Sequence, residues 1–215
     1  PEFIENEILG LIEENDLKSS AVRIRFTVLR RPGGYYTPQT LEIDYIITTE
    51  KLQSPFYLLS KEPYEIELFK DHYITSGLLS TIKSNNKALN VLGSIYAKEN
   101  GYQNCLLLNE KKMVVEALNG NIFMVKDKVV TTPPLTEGAL NGIVRKQLLS
   151  ILKNDNDLDL REVAISPFEL QKADELFITN VIVGIQPVTK YRKKEYAVEV
   201  TKSLFTKLNV KARLG

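Results

Sequence analysis

The stretch VVEALNGNIFMV, residues 114–125, constrains the fold of this chain more than any other. Two β-rich runs, Val114-Val115 and Ile122–Val125, flank Asn119-Gly120. That dipeptide readily takes the positive φ angles of a tight hairpin turn, so the pattern predicts an antiparallel hairpin. Glu116 is the anomaly. A carboxylate at the end of a buried-looking strand is either solvated there or meets a partner that offsets the cost of burying it.

The rest of the chain alternates helical and strand periods. Ile4, Ile8, Leu9, Leu11 and Ile12 form a helical stripe, and Pro1 suits a first helical turn. The runs VRIRFTVLR and LEIDYIITTE read as strands around the loop RPGGYYTP, and FYLLS and YEIELFK read as further strands. From about residue 78 the period changes. Leu89, Leu92, Ile95, Tyr96 and Ala97 share a helical face that stops near Asn100-Gly101. NCLLLN, KMVVEA and NIFMVKDKVVTT read as strands before a Pro-Pro turn. A helix with Ile143, Leu148, Ile151 and Leu152 on its buried side follows, with Asn141 as N-cap. LREVAIS and ADELFITNVIVGIQPV supply later strands, and a closing helix spans about 197–208. Helices mixed with hairpin-linked strands imply an α+β fold. Two domains are expected: a small α+β domain over 1–76, incomplete at its start, and a large α/β domain over 77–215.

Composition narrows the function. A formal net charge of +1 gives no electrostatic case for nucleic acid or a membrane surface. No apolar run approaches the length of a membrane span and no signal peptide is evident, so a cytoplasmic setting is expected. One cysteine and one histidine argue against a zinc site. Cys105 lies in an apolar run and reads as a small buried hydrophobe. His72 is the sole histidine base for a hydrolytic triad, which places that chemistry low.

Several residues could instead assemble a pyridoxal-phosphate site. Lys83 stands at the junction of strand-like and helical sequence, and Glu116 follows 33 positions later. Asn141-Gly142-Ile143 opens a helix, and Thr179-Asn180 ends a strand. A lysine amine can form a Schiff base and move a proton. A carboxylate can keep a pyridinium nitrogen protonated, so that the ring accepts electrons. A helix N-terminus holds a phosphate dianion through its unpaired amides, and Gly142 lets the backbone approach closely.

The segments LSTIKSNN, CLLLNEKKMVVEALNGNIFMV and VVTTPPLTEGALNGIVRK carry these residues with ungapped spacing. Together they resemble the class IV pyridoxal-phosphate aminotransferases, and most of all their aminodeoxychorismate lyase branch. ADELFITNVIVGIQPV resembles the Thr-Asn strand and Pro-Val ending of that branch. The resemblance implies a two-domain fold like that of the D-amino-acid aminotransferases. It makes Lys83 the Schiff-base lysine, with Lys87 as its rival, and Glu116 the partner of the ring nitrogen. It gives Gly142 and Ile143 to the phosphate through their amides, and Thr179 and Asn180 to phosphate or substrate carboxylate. Asn121 belongs to the same cofactor motif and is read mainly as ordering the turn. Arg30, Arg31, Tyr35 and Tyr36, around the Gly-Gly loop, stand where the lyase branch meets substrate. Arg23 and Arg25 share one face of their strand, toward a cleft or toward solvent.

The chain also departs from the family. Leu118 replaces a residue that is usually small, and no early helix carries the expected phosphate-gripping arginine. A family segment preceding Pro1 is therefore expected. The implied reaction on a small-molecule amino substrate is loss of pyruvate from aminodeoxychorismate, leaving 4-aminobenzoate for folate synthesis. The alternatives are transamination of branched-chain or D-amino acids, and a degenerate member without catalysis. A homodimer is expected, with the cofactor in the cleft between the regions before and after about residue 77, facing the second subunit. Aromatic residues in PFYLLS and YYTP lend that arrangement modest support.

Overall fold

Strand-period runs find partners in the computed structural model, which describes residues 2–214. β1 (Val22–Arg30) and β2 (Ile43–Lys51) form an antiparallel ribbon in continuous register, from Val22 opposite Lys51 to Arg30 opposite Ile43. Arg23 faces Glu50 across the ribbon at 3.3 Å, so this arginine is spent on a cross-strand ion pair. At the loop between the strands a Cβ on Gly34 would sit 2.0 Å from the Thr37 carbonyl oxygen, and its φ is +69°. Only glycine fits there. α1 (Glu2–Glu14) forms over the predicted helical stripe, and Phe3 meets the Tyr45 ring edge-on at 5.8 Å. Pro1 lies outside the described residues.

These elements form one compact unit, which ends at Phe56; the second begins at Tyr57. The expected boundary after residue 76 falls elsewhere for a physical reason. β3 (Glu65–Ile74) pairs in parallel with β4 (Asn104–Asn109), a long-range contact that local periodicity does not encode. FYLLS is not a strand. Ser54 makes a turn by accepting from the Phe56 amide at 3.1 Å, and Pro55 lacks a backbone donor.

The second unit is built on a ten-stranded sheet. The predicted hairpin is present as β5 (Val114–Ala117) and β6 (Gly120–Lys126), followed by β7 (Val129–Thr132). β8 (Asp159–Glu162), β9 (Glu175–Asn180), β10 (Gly184–Val188), β11 (Lys190–Tyr191) and β12 (Lys194–Glu195) complete it. The order is β10-β9-β6-β5-β4-β3-β11-β12, with β7 on β6 and β8 on β7. One face carries a continuous core of Ile66, Leu68, Leu106, Ala117, Ile122, Leu176 and Ile178, closed by Leu170 of α4 (Pro167–Leu170).

The other face is covered by α2 (Ala88–Glu99), α3 (Ile143–Lys153) and α5 (Glu199–Leu214). Their buried sides differ in detail from the expected stripes. α2 buries Gly93 and Ala97, with Leu89 and Tyr96 half-buried, while Leu92 and Ile95 face solvent. α3 buries Val144, Leu148, Leu149 and Leu152, and Ile143 is exposed. α5 starts at Glu199 rather than 197 because the buried Glu175 carboxylate accepts from the amides of Val200 and Thr201, at 2.8 Å each. A carboxylate there satisfies helix amides that would otherwise be unpaired.

Candidate functional site

Cross-strand register gathers the polar residues. Glu116 lies opposite Leu107 on one side and Asn121 on the other. Asn121 lies opposite Thr179, and Thr179 opposite Ile185. Directly paired residues share a face. Leu107, Glu116, Asn121, Thr179 and Ile185 therefore form one row across the sheet, apolar at its ends and polar in its middle. Leu107 belongs to the cluster under α2, with Phe69, Ala97, Cys105 and Leu118. Ile185 belongs to the cluster under α3 and α5, with Phe123, Phe177, Leu148 and Leu204. The three polar side chains occupy the seam between the two clusters.

Glu116 is nearly sealed from solvent, at 6% exposure. Its Oε2 accepts from the Leu140 amide at 2.9 Å, while among the described residues Oε1 has no hydrogen-bond partner. Burial pushes its carboxyl above the usual range; the Leu140 amide and the positive charges of Lys87 and Lys83 oppose that rise. Asn121 holds the same residue from the other side, its Nδ2 donating to the Leu140 carbonyl at 2.8 Å. Asn121 thus orders the 138–143 loop as well as its own strand.

That loop is the hub of the seam. Its Asn141 amide donates to the Thr81 carbonyl at 3.1 Å, tying it to the segment that carries Lys83. Asn141 does not cap α3. The N-cap is Gly142, with φ −67° and ψ 143°, and no side chain caps the helix. The first-turn amides after it have no helical acceptor. A Cβ on Gly142 would lie 2.2 Å from Asn121 Oδ1, so glycine lets the helix start press directly onto the polar row. Behind it, Arg145 is buried and donates through Nη2 to the Pro133 carbonyl at 2.9 Å and to Glu162 at 2.8 Å.

Lys83 is exposed, in the segment between the 3-10 turn Leu78–Thr81 and α2. Lys87 is half-buried at the N-cap of α2, so the two lysines do not share a helix. Among the described residues neither makes a hydrogen bond or ion pair with Glu116, although both lie close enough for their charge to act on it. Thr179 is 1% exposed and its hydroxyl has no partner among the described residues. Asn180, its neighbour, is engaged elsewhere: its Oδ1 accepts from the amides of Ile182 and Val183 at 2.9 and 3.1 Å, closing the β9–β10 turn.

Four of the sequence-identified residues lie in the first unit. Arg30 donates to the Gly33 carbonyl at 2.7 Å, and Arg31 is paired with both Glu42 and Asp44. Tyr35 and Tyr36 are fully exposed. Leu118 fits because space is made for it on the helix above. A Cβ on Gly93 would approach Leu118 Cδ2 to 2.5 Å. Sequence reasoning missed Leu140, which contributes only backbone atoms; its side chain carries no signal. The tether from Asn141 to Thr81 escaped for the same reason.

A heterocycle with a protonated ring nitrogen and a phosphate dianion matches what this seam leaves open. Glu116 Oε1 is an unclaimed acceptor, and the Thr179 hydroxyl is a buried donor without a partner. The uncapped start of α3 adds amides beside a glycine that permits close approach.

The family model for amino-transferase class IV matches residues 1–191. The chain belongs to the class IV aminotransferase family, whose members are pyridoxal-phosphate enzymes. It is 37% identical over 107 residues to a putative branched-chain-amino-acid aminotransferase of Methanocaldococcus jannaschii, covering 50% of this chain and 37% of that protein. It is 27% identical over 183 residues to a D-alanine aminotransferase of Listeria innocua, covering 83% and 61% of the two chains. It is 25% identical to an aminodeoxychorismate lyase of Vibrio harveyi over 85% of this chain and 68% of that one. The chain thus spans between about a third and two thirds of the length of these relatives. The fold is that of a putative 4-amino-4-deoxychorismate lyase from Legionella pneumophila, with TM-score 0.84 at 21% identity over 95% of this chain and 75% of that one. A branched-chain aminotransferase from Thermoproteus uzoniensis matches equally well, with TM-score 0.84 at 22% identity over 96% and 69%. Among the described residues no helix is long and apolar enough to cross a membrane.

Proposed function

We propose that the seam between α2 and α3 holds pyridoxal phosphate and that the protein is a 4-amino-4-deoxychorismate lyase-like enzyme. The observation that carries the cofactor reading is the row Glu116, Asn121, Thr179, with an unclaimed carboxylate oxygen and an unpartnered buried hydroxyl beside an uncapped helix start. In this reading Glu116 Oε1 would accept from the ring N–H, and its negative charge would hold that proton in place. The amides of Ile143 and its neighbour, with the Thr179 hydroxyl, would hold the phosphate. When bound, the cofactor supplies an electron sink for the bond broken beside the substrate nitrogen. Lys83 Nζ would hold the cofactor covalently and would then take the proton from the substrate carbon beside the nitrogen; in the lyase reaction that carbon becomes aromatic, and the proton goes to the departing three-carbon group that leaves as pyruvate. Leu140 keeps Glu116 oriented, and the apolar clusters on either side exclude water from the seam.

The lyase reading rests on the resemblance of the Thr179-Asn180 strand end and of the Gly-Gly loop, and that resemblance assigns Arg30, Arg31, Tyr35 and Tyr36 to substrate. Transamination is the second reading, and the higher identity to branched-chain and D-alanine aminotransferases favours it. The same lysine and glutamate serve either outcome. The setting we propose is a cytoplasmic homodimer. Borohydride trapping after loading with pyridoxal phosphate, followed by peptide mapping, should label Lys83; a label on Lys87 or on no lysine overturns the assignment. Product analysis separates the two reactions: 4-aminobenzoate and pyruvate from aminodeoxychorismate support the lyase. Amino transfer to a keto acid without that product replaces it with the aminotransferase.

A further inference from the structure

Arg145 is an unfavourable residue for its place in the fold. It is the third residue of α3 and is 2% exposed. A cation in the first turn opposes the helix dipole, and a buried guanidinium loses its hydration. Its carboxylate partner, Glu162, has a side chain that is 38% exposed, so solvent screens the pair. Its Nε is buried and has no hydrogen-bond partner among the described residues. A methionine or leucine would fill similar space without a charge to bury. Packing alone therefore does not account for an arginine here.

What the guanidinium does is fix a position. Nη2 donates to the Pro133 carbonyl at 2.9 Å and to Glu162 Oε2 at 2.8 Å. Pro133 directly follows β7, and Glu162 is the last residue of β8. Those strand ends are themselves tied. Thr132 lies opposite Glu162, and the Val163 amide donates to the Thr132 carbonyl at 3.2 Å. The Thr132 hydroxyl donates to the Ile122 carbonyl at 2.8 Å, one residue from Asn121. The start of α3 is thus mounted at two points. Gly142 lies so close to Asn121 that a Cβ would meet its Oδ1 at 2.2 Å, and Arg145 grips the ends of β7 and β8. The amides of Ile143 and Val144, and that of Arg145 itself, belong to this mounted turn and have no helical acceptor. A planar, two-point donor suits such a mount better than an apolar side chain does.

We propose that Arg145 is a positioning residue for phosphate: its bonds to Glu162 and Pro133 hold the first turn of α3 so that the amides there keep the geometry a phosphate group needs. This rests on the cofactor reading above. Two probes that differ only in the phosphate ester, pyridoxal phosphate and pyridoxal, separate the role from general stability. Each is titrated by absorbance into the full parent chain and into the Arg145→Met and Glu162→Ala variants. Glu162 is half-exposed, so Glu162→Ala supplies a folded variant even where Arg145→Met does not fold. Affinity for pyridoxal phosphate should fall roughly ten- to a hundredfold, the worth of about one charge-assisted hydrogen bond, while affinity for pyridoxal holds. Without either probe, NMR order parameters of the Ile143–Arg145 amides should fall in Glu162→Ala, and those of Leu148–Leu152 should not. An unmoved preference for the phosphate ester in folded Glu162→Ala overturns the proposal and leaves the cofactor reading in place. First-turn amides that loosen in Glu162→Ala, in a protein whose parent form binds neither probe, support the mount and remove the cofactor reading instead.

Discussion

Replacing Gly142 with alanine isolates the contact on which the seam depends. The φ of −67° at this position is one that alanine adopts freely, so the backbone carries no strain from the change. The penalty is steric: the new methyl would lie 2.2 Å from Asn121 Oδ1. Asn121 is 4% exposed and its Nδ2 already donates to the Leu140 carbonyl at 2.8 Å, so it cannot swing aside freely. Displacing it leaves a buried carbonyl unpaired, at about 1–3 kcal/mol. Displacing the start of α3 instead is overpacking, at about 1–3 kcal/mol as well. We expect a stability loss of roughly 2 kcal/mol, or ~4–8 °C in Tm for a domain of this size. Affinity for pyridoxal phosphate should fall with it, because the α3 amides move. The decisive measurement is a double-mutant cycle in urea. In an Asn121→Ala background the methyl has room, and Gly142→Ala should then cost only the poorer N-cap, about 1 kcal/mol or less. A coupling on the order of 1 kcal/mol is expected. Equal costs in the two backgrounds would refute the claim that this glycine exists to admit Asn121.

Glu116→Gln should act in opposite directions with and without cofactor. Burial raises the folded-state pKa of Glu116, so its contribution to stability is present below the unfolded-state value and is lost as pH rises through the folded one. The glutamine variant of the cofactor-free chain should therefore be the more stable form at neutral pH, with the advantage fading under acid, as urea titrations at several pH values would reveal. In the loaded protein the same change should lower turnover by on the order of ten- to a thousandfold, from a ring-nitrogen shift of roughly 1–3 units. Thr179→Val removes a buried hydroxyl without a partner, so cofactor-free stability should hold or rise by up to ~1 kcal/mol. Its affinity for pyridoxal phosphate should fall roughly tenfold, read by absorbance titration, for the loss of a charge-assisted hydrogen bond of about 1.5 kcal/mol. Light scattering should give a dimer, and a fully active monomer would contradict the proposed assembly.

Local sequence determined the parts of this protein. Asn119-Gly120 specified a hairpin because few dipeptides accept its turn, and that hairpin delivers Glu116 to a strand end. Strand period located β1, β4 and β9 closely, and helical period located α2 and α3. Lys83, Glu116, Gly142 and Thr179 stood out as candidate site residues from their motifs alone. What tertiary structure decided is which of them meet. The division between units moved from residue 76 to Phe56 because β3 joins β4 in parallel, across a crossover that no local pattern records. Register, not spacing, placed Thr179 in the polar row and turned its neighbour Asn180 to the β9–β10 turn, since adjacent strand residues face opposite ways. Backbone atoms decided the rest. Leu140 binds Glu116 and Asn121 through its amide and carbonyl, groups that every residue but proline carries and that only a folded chain can aim.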